Sequence, residues 1–382
     1  MSNRRSLIAM GAFAMAGNTP LVVQPMVVGA MVDLLGLTER QAGIVASVEL
    51  TGLTLGIFGM IRIVSSVPRA GLAVFAVAAI VFADLLACFA HSFGWLLLTR
   101  LLSGIGAAAA FCVYLNMASS DEYPEHVFAI VNAISIAYSG ILTLIAPYLL
   151  HSAGLPGVFL TLSLITSAAL LTLPWLTHHG LGRNRPGQAL SFTGLPLQVG
   201  LLLAMMLLLY TGHGAIWAYQ ERIGVAAGLN EHSVARWLGL SMLVGGVGGS
   251  LFARLMSLSI GRMWPQAISL SASCVAVLLL VFGSTPVAFA ASCSLIAFSW
   301  FYGLPYQMGL LAARDPKGRA ALAGVMMSTG GMALGPAMAA FLLIGGTHWP
   351  IGVFAGICYL LAMAIAVPSA RAPAVVAGVS AI

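Results

Sequence analysis

The chain has 382 residues and a formal charge of +6, with 60% of its residues hydrophobic and only 7% charged. A typical soluble domain carries about 25% charged residues, so the composition excludes a soluble fold. The basic excess, which in a soluble protein would raise nucleic acid as a partner, has another source here.

Apolar runs near 20 residues mark helices that cross a bilayer. In chain order they fall at residues 6–30, 42–61, 70–90, 94–118, 127–150, 157–177, 195–218, 234–256, 264–283, 286–311, 320–344 and 350–370, twelve in all. Arg4 and Arg5 precede the first, but its run exceeds the 7–15-residue core of a signal peptide and carries Asn18, Pro20 and Pro25, which predicts a retained, kinked helix. Alternate connections, on the side of the amino terminus, hold Arg4, Arg5, Arg62, Arg69, Arg183, Arg185, Arg254, Arg262, Arg314, Lys317, Arg319 and Arg371, against Arg40, Arg222 and Arg236 on the other side. The positive-inside rule then puts both termini in the cytoplasm, with only the acidic stretch 121–126 against the trend. A multi-pass protein of the bacterial inner membrane is the expectation. The five cysteines all fall in spans with no C-x-x-C pair and read as small core residues; no metal site or cofactor is expected.

The longest interior polar segment, residues 178–193, divides the spans six and six. The expected fold is all-α, with twelve transmembrane helices in two pseudo-symmetric bundles: 1–177, a cytoplasmic linker 178–194, and 195–382. The halves share local features. Tyr114 precedes Pro124 by ten residues and Tyr306 precedes Pro316 by ten, and later helices end in Ala146-Pro147 and Gly335-Pro336. Such repeats with a binding site between them are a transporter design.

Six plus six spans, the run TRLLSGIG with Arg100, Gly104 and Gly106, and the run GMALGP from Gly331 to Pro336 together resemble the major facilitator superfamily. The resemblance implies a secondary transporter whose fourth, seventh and tenth helices line a central cavity. It implies conformational roles for Gly104, Gly331, Gly335 and Pro336. The export signature normally lies in the fifth helix, where this chain has only Gly140 and Ala146-Pro147, and the loop after the second helix offers Gly59, Arg62 and Arg69 but no aspartate.

Three ionisable residues sit inside spans: Glu49, Asp84 and Arg100. A charge at the bilayer centre costs about 2.5–3.5 kcal/mol on insertion scales, so each should face protein or a watery cavity with a partner. Counting inward at 1.5 Å per residue places all three at one level, about 9–14 Å deep. Together they carry −1, one bound proton neutralises them, and a carboxylate withdrawn from water is a group able to load and release that proton. A fixed ion pair that orients helices is the alternative. Candidate solute contacts are Tyr114, Asn116 and Asn18 in the first half, and His213, Trp217, Tyr302, Tyr306 and Gln307 in the second; packing is the alternative for each aromatic stripe.

The expected function is secondary transport of a small organic solute by alternating access, coupled to protons. A cationic field from Arg100 and His213 beside aromatic faces favours a small amphipathic organic anion. An exporter of drug-like compounds is the alternative within the class, and a membrane-embedded enzyme or a non-transporting sensor the alternatives outside it. The partners expected are the solute, protons and the lipid bilayer, with no nucleic acid and a monomeric state.

Overall fold

The computed structural model describes residues 4–63, 67–90, 92–119, 121, 124–176, 195–256, 263–283, 285–315, 319–343 and 347–371. The segment 178–194, expected as a cytoplasmic linker, lies outside them. The described chain is helical almost throughout: α1 (Arg4–Val22), α2 (Gln24–Asp33), α3 (Glu39–Ile63), α4 (Arg69–Ala87), α5 (Phe93–Ala118), α6 (Pro124–Ala168), α7 (Leu173–Leu176), α8 (Leu197–Ala226), α9 (Glu231–Ser241), α10 (Gly248–Leu255), α11 (Met263–Phe282), α12 (Pro286–Arg314), α13 (Arg319–Leu342) and α14 (Trp349–Arg371).

Polar side chains cap the starts of several helices. At α3, Gln41 N–H donates to Thr38 Oγ1 while Thr38 N–H donates to Gln41 Oε1, a reciprocal cap. Asn230 accepts from Ser233 N–H at α9, and Thr285 from Ala288 N–H ahead of Pro286 at α12.

The kink expected in the first span lies at Val23, whose φ of −119° and ψ of 16° are not helical, and α2 is bent 42° from α1. Pro25 has no N–H, so the carbonyl of Leu21 loses its helical donor. Trp217 Nε1–H, from α8, supplies one at 3.0 Å. The neighbouring carbonyl of Val22 accepts from Thr143 Oγ1 (3.2 Å) and Ser139 Oγ (3.3 Å) of α6. In lipid such freed groups must find partners inside the protein.

Ten of the described helices are long and apolar enough to cross a bilayer, eleven if α1 and α2 form one bent span. The longest candidate, Ile130–Leu176, has 47 residues. As one rod at 1.5 Å per residue it would measure about 70 Å, twice what a bilayer accommodates. Its helix is broken at Gly154, whose φ of 62° suits glycine, and this glycine corner falls between the stretches expected as spans at 127–150 and 157–177. Between α9 and α10 the helix continues through a π turn, Met242–Val247.

Small residues bring backbones together. A side-chain carbon on Gly52 would lie 2.5 Å from the Leu101 carbonyl, and one on Gly104 would strike the carbonyl of Glu49, so α3 and α5 meet backbone to backbone. Gly331 and Gly335 meet α8 at Leu207, Thr211 and Ala215 in the same way. Between the two halves, α3 packs on α13, α6 on α9, and α2 on α8.

Candidate functional site

The close approach of α3 and α5 delivers Glu49 to Arg100, and α4 brings Asp84 from the other side. Arg100 Nη2 donates to Asp84 Oδ1 at 2.7 Å and Nη1 to Glu49 Oε1 at 3.3 Å. The guanidinium also lies 4.3 Å over the ring of Phe159. Asp84 is fully buried and Arg100 is 2% exposed, so the expectation that the three charges share a level and face protein matches their geometry. Ser103 stands beside Glu49 and Ser163 beside Asp84. A small cavity opens next to this triad, between Gln24, Val27 and Val28 of the first span, Val45 and Glu49 of α3, Arg100, and Phe159 of α6. Its free space of about 20 Å³ is room for a water or two.

A second charged cluster joins the halves at the end of the molecule where α2, α3 and α8 turn. Arg222 is gripped by Asp33, through both nitrogens of its fork, and by Glu221 at 2.6 Å. Glu221 is 2% exposed and packs against Gly29 of α2. Nearby, His348 Nε2 meets Glu39 Oε2 at 3.0 Å, Tyr219 Oη donates to the Glu39 carbonyl at 3.0 Å, and Arg40 lies 4.4 Å over Phe341. Ser47 Oγ donates to the carbonyl of Ala333 at 2.6 Å. In the sequence Arg40 and Arg222 serve only to orient the chain, and Asp33, Glu39, Glu221 and His348 are not singled out. The missed signal was the run YQERIG, which a helix ending at 218 leaves in a loop and α8, continuing to Ala226, buries.

The expected solute contacts are not gathered in one place. Tyr114 is buried edge-on against Phe111 and Phe128, with ring centres 5.7 and 5.8 Å away. Asn116 accepts from Arg69 Nε at 2.6 Å, and Asn18, half-buried, donates to the carbonyl of Ala14 at 2.9 Å. His213 is fully buried, its Nδ1 2.9 Å from the Leu209 carbonyl and its ring among Tyr210, Trp300 and Tyr359. Trp217 caps the kink. Tyr302 donates to Met256 Sδ and Tyr306 to the Ala253 carbonyl, both holding the end of α10, while Gln307 accepts from Tyr210 Oη at 3.2 Å. Each of these groups, in this conformation, contacts its own helix or a neighbouring one. Among the conformational candidates, Gly104, Gly331 and Gly335 sit in backbone seams, with Pro336 buried beside the last.

The chain matches the model of the Major Facilitator Superfamily over residues 7–332. Among solved structures it is similar to the nucleoside transporter NupG, with a TM-score of 0.77 and 12% identity, covering 97% of this chain and 99% of that one. A point mutant of the same transporter gives a TM-score of 0.73 and 14% identity over 94% and 98%. At such identities the likeness is one of fold. No curated relative matches the sequence. With more than half of its length matched to the family model and its helices arranged in that fold, the chain belongs to the major facilitator superfamily.

Proposed function

We propose that this membrane transporter, a carrier and not an enzyme by its family, moves a small organic solute by alternating access and couples that movement to protons through Glu49, Arg100 and Asp84. The arrangement is twelve spans in two bundles, 1–177 and 195–382, counting the bent first span once and the parts of α6 on either side of Gly154 separately. A shared spacing supports the repeat. Gly52 packs on Leu101 and Gly56 on Ile105, while Gly245 packs on Ser294 and Gly249 on Phe298, every member displaced by 193 residues. The basic side chains favour the cytoplasm for both termini, so the Arg222 cluster closes the outer side in this conformation.

The observation that carries proton coupling is the buried triad of formal charge −1 beside a water-sized cavity. A fixed ion pair needs one acid; the second leaves a charge that one proton removes. Exchanging Glu49→Gln or Asp84→Asn should flatten the pH dependence of transport while solute binding persists. Wild-type pH dependence in both variants would leave coupling elsewhere.

On the solute, the organic-anion expectation rests on a cationic field, and the triad weakens it. Both nitrogens at the tip of the Arg100 fork meet carboxylates, and His213 is enclosed by aromatic rings. An uncharged, flat, hydrogen-bonding molecule suits amides and aromatics without a free cation better. Nucleosides are the first class to try, in view of the neighbouring transporter. Proteoliposome uptake under a proton gradient should be compared for a nucleoside, an aromatic monocarboxylate, a sugar and a lipophilic cation. Uptake of the carboxylate alone restores the anion reading, and uptake of the cation alone favours export of drug-like compounds.

A further inference from the structure

The short helix α2 has two working faces. One face, through Gln24, Val27 and Val28, walls the cavity beside Glu49 and Arg100. The other meets the second half of the molecule: Gly29 lies against Glu221, and Asp33 at its end is ion-paired with Arg222. The non-helical Val23 and the 42° bend separate this segment mechanically from α1.

Two polar atoms of the residues that line this cavity lack protein partners. Gln24 Oε1 and Arg100 Nε are both buried with no hydrogen bond, in residues 4% and 2% exposed. One is an acceptor and the other a donor. A buried orphan of either kind costs about 1–3 kcal/mol, and a water in a polar space of this size removes that cost.

We propose that the cavity is a water-binding site through which the outer aqueous phase exchanges protons with Glu49, and that α2 is its lid, locked by the Asp33, Arg222 and Glu221 cluster. The inference rests on the proton-coupling reading and adds the route. In the loading step a proton passes from a hydronium in the cavity to a Glu49 carboxylate oxygen, leaving water; Arg100 keeps its charge and the triad goes from −1 to zero. Release is the reverse. The charged or titratable groups around Glu49 are Arg100 from α5 and Asp84 from α4, with the Cys88 thiol and Tyr138 of α6 beside Asp84. The design makes the lock between the halves also the lock over the proton site, so opening outward and reloading the carboxylate become one event.

The test is labelling of Glu49 by a water-soluble carbodiimide with an amine nucleophile, read by mass spectrometry of its peptide, on the full protein in proteoliposomes. A closed lid that opens as a minor state should open about tenfold more often once its latch is cut. Arg222→Gln and the milder Asp33→Asn should therefore raise the Glu49 labelling rate about tenfold or more, and Gln24→Leu should reduce the pH dependence of transport toward that of Glu49→Gln. Unchanged labelling in both latch variants, with Glu49→Gln insensitive to pH, overturns the lid and leaves coupling intact. Wild-type pH dependence in both Glu49→Gln and Asp84→Asn overturns the coupling reading itself, whatever the labelling shows; in Glu49→Gln alone it overturns the route through Glu49.

Discussion

Removing the Arg100 cation would strand two buried carboxylates on the helices that flank α5. Breaking a buried ion pair from one side typically costs about 3–5 kcal/mol. Arg100→Ala should therefore unfold in detergent well below the wild type, and Arg100→Met combined with Glu49→Gln and Asp84→Asn should recover much of that loss while remaining uncoupled. A wild-type melting temperature for Arg100→Ala would mean that the acids do not depend on the cation. Arg100→Lys should rescue only partly, since two nitrogens of one planar fork reach two different acids. This triad is legible in the sequence because an ionisable group inside an apolar span has few low-cost alternatives. Arg222 is not, because a charge near a helix end beside a polar turn also reads as a topology marker. Tyr302 and Tyr306 look like cavity residues on their helical spacing, and only the position of α10 reveals what their hydroxyls hold.

Among the elements, the broken first span depends on borrowed donors. Trp217→Phe keeps the ring but leaves the Leu21 carbonyl without the indole N–H, and an unsatisfied buried acceptor costs about 1–3 kcal/mol. Thermal unfolding of that variant should fall accordingly; no change would mean that water replaces the indole. The glycine seams give a sharper contrast. At Gly335 a methyl group would meet the backbone of Ala215 and Thr211, whereas at Gly309 it would meet nothing within 4 Å. Gly335→Ala should lower the melting temperature and slow transport, and Gly309→Ala should do neither, since helix propensity there gains up to about 1 kcal/mol. Equal behaviour of the two would remove the seam from the mechanism. Prolines and glycine repeats announce such places in the sequence, but which helix answers them is set by tertiary packing.

For the whole molecule, the topology prediction is a cytoplasmic location of both Ile382 and the region near Asn184, testable with reporter fusions at each; an outside signal at either would overturn the six-plus-six arrangement. Hydrophobic runs and the placement of base make this scale the most readable from sequence, although the glycine corner at Gly154 replaces an expected loop. The π turn at Met242–Val247 has a further meaning at this scale. From the capping Thr38 to the seam glycine Gly52 is fourteen residues, and from the capping Asn230 to Gly245 is fifteen. A turn closed by an i→i+5 bond stores one residue more than an α turn, so the surplus is absorbed in the turn that carries Gly245 itself, and the glycines still face their partner helix. The second half therefore has a built-in tolerance to a one-residue deletion that the first half lacks: removing Leu243 should leave a folded, monodisperse transporter, while removing Leu50 should not.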